Sequence, residues 1–210
     1  MNTNTNKKIF FEKLFPWKYG VQRSNLKMSY ECISYVTVFR DSAKIIQHMS
    51  EHMANYKKNI KEVSIIDANA CVGCDTVSFC DAFSIVIPIE INKERYGDLL
   101  HNLNIYNIAN AYPINGNCLE KIDDININID IIYFDPPWGG SDYKLEKKIN
   151  IKLNNLELYE IVEKYINKTK LIVFKLPKNF DYDIFTDKLK HYKIAIYKDI
   201  KKLDIVIIEK

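Results

Sequence analysis

Three short β-branched runs in this sequence each end on a carboxylate. They are residues 63–67 ending at Asp67, 83–90 ending at Glu90, and 129–134 followed by Asp135. Each is long enough for a buried strand and too short for a helix of usual length. Stretches of helical spacing lie between and after them. One helix is expected near 75–82. Another runs from 92 to about 106, with Leu99, Leu100, Leu103 and Tyr106 on one face. Further helices are expected at 156–166 and 183–189. Short strands are expected at 111–114 and 170–175, with a loop at 176–179. Pro88 demotes only part of its strand. The chain closes with 192–197 and 203–208, two strands joined by a polar turn, which read as a hairpin.

Strands that alternate with helices imply a mostly parallel sheet with helices on both faces. A closing hairpin adds one antiparallel strand. The expected fold class is α/β and Rossmann-like, a mostly parallel seven-stranded sheet with a C-terminal antiparallel hairpin. That is the topology of class I S-adenosylmethionine-dependent methyltransferases. Residues 41–210 form this domain, and residues 1–40 form an N-terminal extension that packs on it. Phe10, Phe11, Leu14, Phe15 and Trp17 are the packing candidates. Tyr30 to Phe39 is β-rich and apolar. Asp41 or Ser42 can then cap a helix reaching about Tyr56, with Ile45, Met49, Met53 and Tyr56 as its stripe. His48 and His52 lie beside that stripe. The Glu that follows the first His in the zinc-protease motif is missing, so they read as partly exposed, structurally neutral histidines.

Composition narrows the class. The 210 residues are 47% hydrophobic and 27% charged, with a net charge of +3, as in a globular protein. No apolar run approaches the roughly 20 residues that span a bilayer. The N-terminus has no signal-peptide core. A soluble intracellular chain is expected, in the cytoplasm or the nucleus, working as a monomer. Residues 1–27 carry Lys7, Lys8, Lys13, Lys18, Arg23 and Lys27 against Glu12. Such an arm is either a solvated surface or a nucleic-acid contact. Cys32, Cys71, Cys74, Cys80 and Cys118 are an odd set without a secretion signal, so free thiols are expected. Cys71 and Cys74 have CxxC spacing, but no second CxxC or His pair follows, and no structural metal is expected.

Two constellations carry chemistry. In the first, Asp67-Ala68-Asn69-Ala70-Cys71-Val72-Gly73-Cys74-Asp75 joins a strand to a helix. An acid, then a tight turn with a glycine that allows close backbone approach, suits a nucleoside-type cofactor. Glu90 ends the next strand 23 residues after Asp67. A carboxylate at about that distance commonly takes ribose hydroxyls.

In the second, Asp135-Pro136-Pro137-Trp138-Gly139-Gly140 forms a rigid turn at a strand's end. Asp/Asn/Ser-Pro-Pro-aromatic is the signature of methyltransferases that act on planar exocyclic amines. The lone pair of such a nitrogen is delocalised into its ring. Asp135 and the Pro136 carbonyl can accept its N–H bonds, aim it, and raise its electron density. Trp138 supplies a stacking face that suits a cationic base.

Here a family resemblance becomes specific. Pro136-Pro137-Trp138-Gly139-Gly140 followed by Ser141-Asp142-Tyr143 resembles the trimethylguanosine synthases, the RNA cap guanine-N2 methyltransferases. Cys71-Val72-Gly73-Cys74-Asp75-Thr76 is similar to that family's Gly-Val-Gly-Gly-Asn/Asp-Thr turn. Leu176-Pro177-Lys178-Asn179 is similar to its Leu-Pro-Arg-Asn loop, and Ser34-Tyr35-Val36-Thr37 to its entry to the first helix. The likeness runs from about Lys18 to the C-terminus.

The resemblance implies S-adenosylmethionine across Asp67, Ala68, Gly73, Thr76 and Glu90, with Asn117 near the adenine where an Asp is usual, and Asp135 at the methyl end. It implies that the 7-methylguanine of a capped RNA stacks on Trp138, and that Asp135 and Pro136 orient its 2-amino group. Asp135, Pro136 and Trp138 are then the catalytic set, with Tyr143, Lys178 and Asn179 also on the substrate. The sequence departs from the family pattern at Cys71 and Cys74, which replace glycines, at Asp135, where Ser is frequent, and at Lys178, which replaces Arg. It lacks the long extra regions of cellular members, which fits a minimal version such as a virus carries. Two other readings stay open. One is a different exocyclic-amine methyltransferase, acting on the adenine 6-amino or ribosomal RNA guanine 2-amino group. The other is a cap-binding module with little turnover.

Overall fold

In the computed structural model, which describes residues 13–140 and 142–210, the chain forms two compact units, 1–124 and 125–210. Lys7, Lys8, Phe10, Phe11, Glu12 and Ser141 lie outside the described residues.

The first unit is built on β1 (Ser64–Asp67), all four residues of which are buried. β2 (Ile85–Glu90) pairs parallel to it from Ser64–Ile85 to Asp67–Pro88. β3 (Ile114–Asn115) pairs parallel to β2 on the other side. Pro88 is accommodated because alternate residues of β2 face opposite neighbours. Val86 bonds Asn110 and Tyr112, so position 88 also faces the β3 side. Regular pairing there begins only at Ile89–Ile114, and the missing N–H falls where no partner is needed. The helices are α1 (Phe39–Asn55), α2 (Cys74–Ala82), α3 (Lys93–Ile105) and α4 (Cys118–Asp124). Asn92 caps α3 by accepting from the N–H groups of Glu94 and Arg95.

The extension enters this unit's core. Leu14, Phe15, Leu26 and Cys32 are buried with Val72, Val77, Leu99, Leu103 and Tyr106. The Phe15 and Tyr106 rings stack at 6.2 Å, and the Tyr106 hydroxyl donates to the Pro16 carbonyl at 2.6 Å. Trp17 corrects the sequence expectation, since it is 70% exposed and does not pack. The β-rich reading of Tyr30 to Phe39 is also corrected. Tyr30–Ser34 is a 3-10 turn, and α1 starts at Phe39 without Asp41 or Ser42 as its cap. The reason is tertiary: Thr37 and Ser42 both donate to the buried carboxylate of Asp75. His48 is buried, not partly exposed.

The second unit centres on β7 (Leu171–Pro177), buried throughout. β4 (Ile131–Phe134) pairs parallel to it, ending at Phe134–Phe174. β9 (Leu203–Glu209) pairs antiparallel on the other side, and β8 (Lys193–Tyr197) closes a hairpin with β9. β7 extends past the expected strand to take in Leu176 and Pro177. Leu171 N–H points to the β4 side, and by alternation so does position 177, where β4 has already ended. A proline is tolerated there for that reason. α5 (Leu158–Tyr165) and α6 (Tyr182–Lys188) follow the expected helices within a residue or two. A small hairpin of β5 (Lys152–Leu153) and β6 (Leu156–Glu157) takes the first two residues of the expected 156–166 helix. Its turn residues Asn154 and Asn155 have φ of 50° and 67°, the geometry of a two-residue I′ turn. Phe134 stacks on Phe174 at 5.2 Å, which fixes the end of β4 from which the proline turn leaves.

Candidate active site

In the first unit the turn after β1 is drawn tight by backbone bonds. Ala70 N–H donates to the Ile89 carbonyl and Gly73 N–H to the Ala70 carbonyl, both at 2.9 Å. Gly73 has φ +93°, and a Cβ there would stand 2.8 Å from Leu99 Cδ1. Only glycine meets both conditions without strain. Cys71 also sits in left-handed backbone, at φ 50°, so it keeps a glycine-like conformation at some cost. Its N–H donates to Glu90 Oε2 at 2.9 Å, and Asn92 N–H donates to Glu90 Oε1 at 2.8 Å. Glu90 is thus a buried, oriented carboxylate with one backbone donor on each oxygen.

Asp67 is 1% exposed and accepts from the fully buried Thr76 hydroxyl at 2.6 Å. Thr76 therefore supports Asp67. Ala68 is buried. Asn117 serves as a local cap at the start of α4, accepting from Leu119 N–H at 3.1 Å and donating to Glu120 at 3.0 Å. The five cysteines are all free thiols. The Cys71 thiol bonds Cys32, not Cys74. That bond, with one from Ser29, pulls Cys32 down to about 6, while the same bond and then burial push Cys71 up.

These residues fit an adenosine cofactor by their donor set. A carboxylate has about four lone-pair sites, and the two backbone donors on Glu90 leave room for two ribose hydroxyls. Asn69 Oδ1 is buried and accepts no hydrogen bond, an acceptor available to a cationic or N–H group of the cofactor. The glycine at 73 keeps the backbone bare on that turn.

In the second unit Asp135 follows β4 directly, with Pro136 buried and Pro137 exposed beside it. The ammonium of Lys175 forms an ion pair with Asp135 Oδ2. Lys175 is a charged residue in the middle of β7, with a side chain only 3% exposed. The same residue holds the far end of the turn. Its carbonyl accepts from Trp138 Nε1–H at 3.3 Å, and its ammonium lies 5.7 Å from the Trp138 ring centroid. Tyr143 meets Trp138 edge-on, with centroids 5.3 Å apart and planes at 84°. Burial raises the Tyr143 phenol above its ordinary range. Asn179 donates to the carbonyls of Tyr143 and Glu146 at 2.7 and 2.9 Å, so it holds the segment that carries Tyr143. Lys178 Nζ is engaged by Asp204 Oδ1 at 2.6 Å and the Lys198 carbonyl at 2.9 Å. Asp135, Trp138, Tyr143 and Asn179 are therefore brought into one chain of contacts, while Lys178 is turned to Asp204. Sequence reasoning missed Lys175. The available signal was a lysine closing an apolar strand, which also describes a strand flank.

The model of a family described as RNA cap guanine-N2 methyltransferase matches residues 62–210. The chain belongs to that family. Protein L320 of Acanthamoeba polyphaga mimivirus is 28% identical over 94% of this chain and 84% of its own length. The METTL16 MTase domain superposes with a TM-score of 0.64 at 8% identity, covering 92% of this chain and 74% of that one. SMU.1697c of Streptococcus mutans, solved in complex with SAH, superposes with a TM-score of 0.52 at 13% identity, covering 79% and 97%. The fold is the class I methyltransferase fold, a mostly parallel seven-stranded sheet with a C-terminal antiparallel hairpin. As a member of this family the chain is a methyltransferase that uses S-adenosylmethionine. Among the described residues no group of three or more His, Cys, Asp or Glu could hold a metal ion. No described helix is long and apolar enough to cross a membrane.

Proposed function

We propose that this chain transfers a methyl group from S-adenosylmethionine to the exocyclic 2-amino group of a 7-methylguanosine RNA cap, giving 2,7-dimethyl- or 2,2,7-trimethylguanosine. The observation that carries this reading is the Trp138 ring. It is held edge-on by Tyr143 and tethered through its N–H to Lys175, three residues from Asp135 in a chain of the cap guanine-N2 family. A fixed indole face favours a flat base, and a cationic one most.

When bound, the cofactor supplies an electrophilic methyl group. The chain's own residues do the rest. Glu90 accepts the ribose hydroxyls, and the 67–73 turn seats the cofactor. Trp138 stacks the 7-methylguanine. Asp135 and the Pro136 carbonyl accept the two N–H bonds of the 2-amino group. Those bonds return electron density to a delocalised nitrogen and fix its line of approach. Asn117 would be the residue facing the adenine, and Lys178, once released from Asp204, would meet cap phosphates. The partner is capped RNA. The expected setting is a soluble monomer in the cytoplasm or nucleus, where such RNA is found.

The test is methyl transfer to a 7-methylated cap dinucleotide compared with its unmethylated form, read by mass spectrometry. A strong preference for the methylated cap is expected. Equal transfer to both would overturn the cationic-base argument, and transfer only to adenine would move the chain to the other amine class.

A further inference from the structure

Lysine is rare in a strand interior, and Lys175 is 2% exposed between β4 and β9. A buried ammonium stays charged only when it is paired. Here its partner is Asp135, the residue that the proposed function places against the reacting amine. The main chain of Lys175 also fixes the indole of Trp138. One residue of β7 therefore touches both the amine acceptor and the stacking platform.

We propose that Lys175 is a positioning residue for amine methylation, which makes a carboxylate usable at position 135. This inference rests on the amine-methylation reading. A largely buried carboxylate without a cation has a raised tendency to hold a proton. A protonated acid presents an O–H donor, and a donor facing the N–H of a substrate amine is a mismatch. The Lys175 ammonium removes that tendency. It also holds Oδ2, which fixes the orientation of the carboxylate. The pair is neutral overall, so it offers an acceptor without placing net negative charge at the amine. A neutral hydroxyl such as that of Ser would offer an acceptor directly. An Asp reaches the same state only with a buried cation beside it.

The experiment is a double-mutant cycle on the full chain with Lys175→Met, Asp135→Asn and both. Methyl transfer to a 7-methylated cap dinucleotide is measured as kcat and KM, and a cooperative thermal unfolding transition checks that each variant is folded. Lys175→Met should lower kcat by about 10- to 100-fold with KM changed by less than about threefold. In the Asp135→Asn background, where the acceptor is already neutral, Lys175→Met should change kcat by less than about threefold. Equal losses from Lys175→Met in both backgrounds would overturn the proposal, because a purely structural lysine acts whatever stands at 135. A loss confined to KM would overturn it as well. If the wild-type chain methylates only an amine in uncapped RNA, the cap reading fails and the cycle is read on that amine. A wild-type chain that methylates neither overturns both.

Discussion

Asp135 and Lys175 meet one step beyond the last pair of the β4–β7 register, Phe134 with Phe174. The register places them side by side, and their side chains are 16% and 3% exposed. Removing one member of such a pair takes a counter-charge away from a buried ion. Lys175→Met should therefore cost about 3 kcal/mol of stability in urea unfolding. Asp135→Ser added to Lys175→Met should recover most of that loss. Stability that falls further in the double variant would mean that Asp135 makes other stabilising contacts.

Trp138 is fixed from two directions, by the Tyr143 ring and by the Lys175 carbonyl. Trp138→Ala should weaken 7-methylguanosine nucleotide binding by about 10- to 100-fold. S-adenosylmethionine affinity should stay within error, since the cofactor is proposed to rest on Glu90 and the 67–73 turn and not on the indole. Trp138→Phe should fall between wild type and Ala, because a smaller ring retains stacking and gives up part of the cation attraction. Loss of both ligands in Trp138→Ala would make Trp138 a folding residue. Isothermal titration with each ligand separates the two cases.

The strand-to-helix alternation was legible because strand and helix periods differ and because Asp67, Glu90 and Asp135 mark strand ends. The proline turn was legible because few other arrangements put an acid, two prolines and an indole together. What sequence could not show is tertiary. Residues 30–39 have strand composition, but Asp75 draws in Thr37 and Ser42 and sets that segment's path. The β5–β6 hairpin has two-residue strands and depends on asparagines adopting positive φ. Lys175 lies 40 residues from Asp135, and only the β4–β7 register brings them together. Lys178 and Asn179 matched a loop pattern, yet their contacts with Asp204, Tyr143 and Glu146 follow from how that loop folds back.

Gly73 and Cys71 share one turn but respond differently to a side chain. At Gly73 an added Cβ meets Leu99 Cδ1 at 2.8 Å in backbone of φ +93°. Gly73→Ala should cost about 1–3 kcal/mol and weaken S-adenosylmethionine binding, because the turn must shift to admit the methyl group. Cys71→Gly removes left-handed strain but adds unfolded-state freedom, so its net effect should be under about 1 kcal/mol. Thermal unfolding of both variants with and without cofactor measures the contrast. A Gly73→Ala chain as stable as wild type would show that Leu99 yields freely.

Alkaline stability tests the buried thiols. Burial pushes Cys118 up to about 11 and Cys80 up to about 12, from an ordinary value of 9.0. The folded chain then holds these protons in a range where the unfolded chain has released them. Their contribution to stability is fully present below pH 9 and is lost as pH rises through the folded values. The wild-type chain should lose about 5 kcal/mol from this source by pH 11. The phenols of Tyr106 and Tyr182, also raised by burial, steepen the same decline. The Cys80→Ala/Cys118→Ala chain keeps both tyrosines, so the difference between its slope and that of wild type isolates the thiols. Urea midpoints from pH 7 to 11 give both slopes. Parallel slopes would mean that neither thiol is shielded from solvent in the folded state, contrary to their burial at 5% and 8% exposure.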